Sequence, residues 1–330
     1  MAGALEKGIG YICYVNRCLT LFTLLILMGF NACTRTRPAG SNTTPTHSAP
    51  FKPEYKLSEL DSSDLFNSGN ALNAVEGIDE VSGMATGIKN PGDLWVHNDG
   101  GDASLLYLLD GSTAQLKGIY SMAASNTDWE DIAISYDIAG DHSYLWVADI
   151  GDNLLSRINC SLYKVEELPV VYEVGDTVVP KDVKEVTEYV FHYPDGYYNA
   201  ETLMIDPLNG EIIVVTRGDE ARVYSALETT AQASGVLDMV YRGTLPIAGI
   251  TGGDVSRNGN HIVMRTYREI LLWNRQPGQS VVEALANTPV LLPYIKEPQG
   301  EAICWGANGY YTLSERVGSE LPSLYHYPFK

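Results

Sequence analysis

Between residues 126 and 153 the chain carries two clusters of acids. Asp128, Glu130 and Asp131 surround Trp129, and Asp149 and Asp152 follow in Asp149-Ile150-Gly151-Asp152-Asn153. Carboxylates brought together repel one another unless a cation, a guanidinium or a proton relieves them. A set of hard oxygen donors suits Ca²⁺, which takes about 6–8 oxygens in flexible geometry. The stretches Ile132-Ala133-Ile134 and 144–148 read as two short strands joined by a turn at Ala139-Gly140-Asp141. In an antiparallel hairpin the start of the first strand and the end of the second share one end. The spacing therefore predicts that the two acid clusters converge.

The same pattern of acid, strand, turn and returning strand recurs along the chain. Glu80 opens Val81-Ser82-Gly83-Met84, and the strand Leu94-Trp95-Val96-His97 returns to Asn98-Asp99. Glu201 opens a copy that returns to Thr216-Arg217, Asp254 one that returns to Arg265, and Glu301 one that returns to Ser314-Glu315-Arg316. Asn-Gly pairs at Asn209-Gly210, Asn258-Gly259 and Asn308-Gly309 predict two-residue hairpin turns. Third strands follow with Leu-Tyr or Val-Tyr pairs, such as Leu106-Tyr107 and Val223-Tyr224. Units of about 40–50 residues with about four short strands each are the mark of a β-propeller. Five units predict an all-β, five-bladed propeller of four-stranded antiparallel blades around a central channel. Residues 55–75 leave six blades open as the alternative, and a β-sandwich is the bland reading of the same strands. The second unit is the longest, with an insertion at 169–186 before an outer strand at 188–193.

In a propeller the first strand of each blade lines the channel. Glu80, Glu130, Glu201, Asp254 and Glu301 are then expected to ring one mouth. Glu80, Asp99, Asp128, Glu130, Asp149 and Asp152 form the expected metal set. Arg217, Arg265 and Arg316 lie on the other side with Glu201, Asp254 and Glu301, a set for an anionic ligand, since guanidinium groups grip phosphate or carboxylate bidentately. The bland reading of each acid is a bond to backbone of the next blade. Glu130 and His97 are the only candidates for a general base. No G-x-S-x-G elbow, Walker loop, dinucleotide fingerprint or zinc-spaced His/Cys cluster is present.

With these repeats laid out, residues 78–330 resemble bacterial exported propellers of the phytase-like and SdiA-regulated type. The resemblance rests on Glu80-Val81-Ser82-Gly83, Asp128-Trp129-Glu130-Asp131, Asp149-Ile150-Gly151-Asp152-Asn153, Asn199-Ala200-Glu201 and Gly300-Glu301-Ala302-Ile303. It implies a propeller fold, an exported protein and, for some relatives, Ca²⁺-dependent hydrolysis of phosphate esters. Two function classes follow: a propeller that binds a cation and a small anion or protein partner at its mouth, and, as the alternative, a calcium-dependent phosphate-ester or carboxylester hydrolase.

The net charge of −19 repels phosphate-rich partners and so argues against nucleic acid as a ligand, although an acidic surface kept for solubility explains the charge equally well. An apolar fraction of 45% supports a full core. Residues 1–32 read as a signal peptide, with Lys7 and Arg17 before the apolar run 18–30, too short to span a membrane. Ala32-Cys33 resembles the cleavage site of bacterial lipoproteins. Residues 33–54, rich in Thr, Pro and Ser, read as a tether, and 55–330 as one propeller domain. The expected protein is a monomer on the cell envelope, in the outer membrane of a Gram-negative bacterium, held by the Cys33 lipid alone. Labelling with radioactive palmitate should mark the protein, and Cys33→Ala should remove both the label and the membrane-fraction signal.

Overall fold

A computed structural model describes residues 49–137, 141–231 and 234–330. The signal peptide, Cys33, most of the tether and the turn residues Ala139 and Gly140 lie outside these described residues. Five four-strand units follow one another around a ring, as the repeats predict. Blade one contains Val81–Thr86, Asp93–Asn98, Leu105–Asp110 and Leu116–Met122. Blade two contains Trp129–Tyr136, Ser143–Asp149, Cys160–Glu166 and Val186–Phe191, and blade three Ala200–Ile205, Glu211–Thr216, Ala221–Leu227 and Val240–Leu245. Blade four contains Ile250–Val255, His261–Thr266, Ile270–Asn274 and the two-residue Val290–Leu291, preceded by a short helix, Val281–Leu285. Ser280 and Glu283 cap that helix reciprocally.

Blade five takes Gly300–Gly306, Gly309–Ser314 and Ser323–Tyr327 from the end of the chain and its outer strand, Asn70–Ala74, from the beginning. Asn70 pairs with His326 and Ala74 with Ser323. Residues 55–75 therefore close the ring and do not build a sixth blade. Phe51 is joined to blade three: its amide donates to the Arg242 carbonyl, its carbonyl accepts from the Thr244 amide, and its ring packs against the core. The insertion after the third strand of blade two contributes to its neighbour: Pro180–Val183 pairs in parallel with Leu116–Met122 as a fifth strand of blade one. Of the Asn-Gly pairs, only Asn308-Gly309 ends a two-residue turn, between Gly306 and Gly309. The other two sit in longer turns, closed by bonds from Gly210 to the Asp206 carbonyl and from Gly259 to the Ser256 carbonyl.

The core lies between blades, in five apolar clusters, one for each blade-to-blade contact. Trp95, Trp129, Trp146 and Trp273 are fully buried in them. Neighbouring inner strands share no ladder, so side chains supply the polar links across the contacts. Asp131 accepts from the Leu203 amide of blade three at 2.9 Å. Asp254 accepts from the Trp305 amide of blade five at 2.8 Å. Glu167 accepts from the Ile88 and Lys89 amides, Asn90, Trp95 Nε1 and Ser143, joining blades one and two. Cys160 and Cys304 are buried free thiols in blades two and five.

Arg265 belongs to this framework and not to the channel mouth. It is fully buried, donates to the Ala302 carbonyl at 2.9 Å and to Tyr294, and pairs with Glu297 at 2.8 Å. Its side chain leaves the second strand of blade four toward blade five, which removes it from the expected anion-binding set. Breaking a buried pair strands a charge without a partner and costs about 3–5 kcal/mol. Glu297→Ala should lower unfolding free energy by about that amount in a urea titration. A joint Arg265→Met, Glu297→Met replacement should lose less.

Candidate functional site

The same irregularity opens every inner strand. Pairing with the second strand skips one residue in each blade: Ser82, Glu130, Glu201, Thr251 and Glu301. Such a bulge sets two residues against one and re-aims the side chain at the skipped position. Glu130, Glu201 and Glu301 are thereby turned toward one another across the channel mouth, where Glu201 and Glu301 disfavour the charge of Glu130 and Glu301 that of Glu201. Ser82 and Thr251 occupy the same position but donate to the Glu130 and Gly300 carbonyls of the next blade. Glu80 and Asp254 are thus out of register with the ring. Glu80 precedes the strand and is exposed, and Asp254 lies near the far end of its strand.

A second ring comes from the residues that leave the second strands. Asn98, Asp149, Thr216, Thr266 and Ser314 pair with the first residues of the inner strands. The residues that follow them are Asp99, Ile150, Arg217, Tyr267 and Glu315. Tyr267 and Glu315 therefore stand where the sequence suggested Arg265 and Arg316. Tyr267 donates to Glu301 at 2.6 Å, and Arg217, stacked over the Tyr267 ring, pairs with Glu201 at 2.6 Å. Arg316 is spent on Asp79 at 3.1 Å.

The expected metal set divides in two. Oxygens of Asp99, Asp128 and Glu130 all lie within 4.8 Å of one another. The other members do not join them. Asp149 pairs with Arg157 at 2.6 Å and accepts from the Thr127 and Asp128 amides. Asp152 accepts from the Ser156 and Arg157 amides, folding its own loop, while its amide donates to Asn199. These two acids brace the loop that presents Asp128. Glu80 contributes charge near Asp99, and its carbonyl accepts from the Asp99 amide. Two glycines make the cluster possible. A Cβ at Gly151 would collide with the Glu130 and Asp128 carboxylates, and one at Gly100 with Asp128. Three converging carboxylates have the donor chemistry a hard cation takes, and among the described residues no histidine or cysteine joins their group.

His97 is not at the mouth. It is fully buried, its Nδ1 bonds the Asn98 carbonyl, and its ring meets Trp129 edge to face at 5.6 Å. Burial lowers its pKa to about 4, so it stays neutral and out of contact with any ligand at the mouth. Trp129 is fully buried as well, its indole N–H donating to the Ser125 carbonyl.

Burial and mutual repulsion govern the charge of the mouth. Burial, opposed by the Gly100 amide and aided by Glu301, Asp128 and Glu80, lifts Asp99 to about 6. Burial lifts Glu201 to about 7 against the pull of Arg217. Burial and then the Glu301 carboxylate beside it raise Glu315 to about 9. Glu130 is pushed up by burial first and then by Glu201, Asp99 and Asp128, and Asp128 by burial, with Arg157 opposing.

No protein-family model matches the chain, and no curated protein matches it. Among solved structures it is similar to the RRP9 WD40 repeats at 7% identity and a TM-score of 0.40, over 82% of this chain and 99% of that one. The U3-55K structure matches at 7% identity and 0.39, over 79% and 98%. The Cps50 (Swd1) β-propeller domain of Myceliophteria thermophila matches at 12% and 0.39, over 78% and 99%. Likenesses this distant carry no argument; blade number and site rest on the strand pairing of this chain.

A carboxyl whose folded pKa is raised binds more protons folded than unfolded across the interval between the two values. Stability therefore falls as pH rises through that interval. For Asp99 the interval runs from 3.8 to about 6, for Glu201 from 4.5 to about 7, and for Glu315 from 4.5 to about 9. The metal-free protein should lose melting temperature steadily from pH 4 to pH 9. Glu315→Gln should flatten the part above pH 7.

Proposed function

We propose that the chain is an exported propeller, tethered to the membrane through Cys33, whose channel mouth binds Ca²⁺ at Asp99, Asp128 and Glu130. The bound ion and Arg217 together then hold an anionic small molecule or an acidic group of a protein partner. The observation that carries this reading is the convergence of three carboxylate oxygens within 4.8 Å, from two different blades. Like charges so close need relief. Arg157 pairs with Asp149 and Arg217 with Glu201, so relief of the cluster comes from a proton or a cation, and a cation is the source this reading takes. All donors are oxygen and the cluster opens to solvent, which suits Ca²⁺ with waters completing its shell better than the stricter octahedron of Mg²⁺. Three carboxylates leave several coordination positions for a ligand's anionic oxygens. The Arg217 side chain is 30% exposed, so its guanidinium faces the mouth from beside Glu201 and Tyr267.

A second reading, Ca²⁺-dependent hydrolysis of a phosphate or carboxylic ester as in the phytase-like propellers, is favoured by Glu130. It is the buried member of the three-carboxylate cluster and its pKa is raised, which brings it toward the range a general base acting on ion-bound water would use if it released the ion. Adding Ca²⁺ to metal-stripped protein at pH 7 should raise the melting temperature. A hundredfold excess over Kd corresponds to about 2.7 kcal/mol if only the folded state binds. Gly151→Ala should abolish the shift by driving a methyl into the cluster. An unchanged melting temperature at millimolar Ca²⁺, with no heat in calorimetry, would remove the reading. Turnover of phosphomonoesters or carboxylesters that needs Ca²⁺ and is lost in Glu130→Gln would turn the binding protein into the hydrolase.

A further inference from the structure

The opposite end of the channel holds a second feature of different chemistry. A cavity of about 260 Å³ opens where the inner strands end, and all five blades line it. Its walls are chiefly apolar and aromatic, among them Ile88, Ile134, Tyr136, Ile205, Trp305 and Tyr311. Such a surface left facing water is unfavourable, and concave apolar pockets with few polar groups are the usual form of small-molecule sites.

The polar groups of the cavity are unequal in what they have left to give. Asp254 is already engaged: its oxygens accept from the Val255 amide at 2.7 Å and the Trp305 amide at 2.8 Å, tying blade four to blade five. His326 stacks on Tyr311 at 4.4 Å and bonds the Asn308 carbonyl. Arg257 is different. Its carbonyl accepts from the Tyr136 hydroxyl at 2.9 Å, which fixes its backbone across the rim, and its guanidinium lies 5.7 Å from the Tyr136 ring. Among the described residues it has no ion-pair partner. The unspent charge at the cavity is therefore positive.

We propose that this cavity binds a small, flat apolar molecule carrying one carboxylate, its rings between Ile134, Ile205 and Trp305 and its carboxylate on Arg257. An apolar cavity of roughly 150 Å³ accepts a single benzene ring. The larger space here suits two fused rings. This site shares no residue with the acidic mouth and stands whether or not the mouth binds a cation.

Calorimetric titration of the full chain with 2-naphthoate, 2-naphthol and naphthalene-2-methylammonium tests the assignment. Naphthoate should bind most tightly. Arg257→Gln should weaken it about tenfold, the loss expected for one charge-assisted hydrogen bond, and leave naphthol unchanged. Ile134→Trp should fill the cavity and abolish both. If that variant melts early, Ala307→Trp at the rim should serve in its place. Absence of naphthoate binding at millimolar concentration, binding that survives both tryptophan variants, or tighter binding of the ammonium compound would each overturn the proposal.

Discussion

Blades packed face against face share no hydrogen-bond ladder, and the rest of this molecule follows from how that gap is closed. Apolar burial supplies the bulk of the adhesion, in five clusters that each belong to two blades. Backbone amides near the axis still need partners, because an unsatisfied buried amide is costly. Asp131, Asp254, Ser82 and Thr251 provide links from one inner strand to the main chain of another. Polar residues around the axis are thus divided between holding the ring and facing the channel. Only the second group is available for chemistry.

The bulge at the start of each inner strand decides which residues face the channel. It lifts one side chain per blade out of the pleat, and three of the five are glutamates. Repulsion among them is relieved unevenly around the ring. Arg217 pairs with Glu201, Tyr267 donates to Glu301, and Glu301 in turn helps burial raise Glu315. On the side of blades one and two Arg157 is paired with Asp149, and Asp99, Asp128 and Glu130 face one another directly. The two ends of the channel thereby differ in kind, one acidic, the other apolar and lined by Arg257, which has no ion-pair partner among the described residues.

Glycine has a specific part in this. Gly151 sits in Asp149-Ile150-Gly151-Asp152-Asn153, where Asp149 and Asp152 hold the loop through Arg157 and backbone amides. The missing side chain at Gly151 lets that loop close over the Glu130 and Asp128 carboxylates. The flanking acids Asp149 and Asp152, which looked like ligands in the sequence, instead support the loop that carries Asp128, since their oxygens are consumed by the loop they shape.

The sequence alone determined the architecture, because hydrophobic alternation and turn residues repeat with the period of a blade and each copy carries its own acid. It also brought Asp128 and Asp149 to one end of a hairpin, since the strand that Trp129 opens pairs with the strand that returns at Asp149. Tertiary structure decided the register. A bulge has no signature in composition, and without it Glu80 and Asp254 seemed equivalent to Glu130, Glu201 and Glu301. One position of slip separates Glu315 from Arg316, and two separate Tyr267 from the buried Arg265; each slip changes which side chain reaches the mouth. The closing strand Asn70–Ala74 and the crossing of Pro180–Val183 into blade one were likewise invisible. Their partners lie far along the chain, and pairing across that distance is fixed by packing and not by any local preference of the residues themselves.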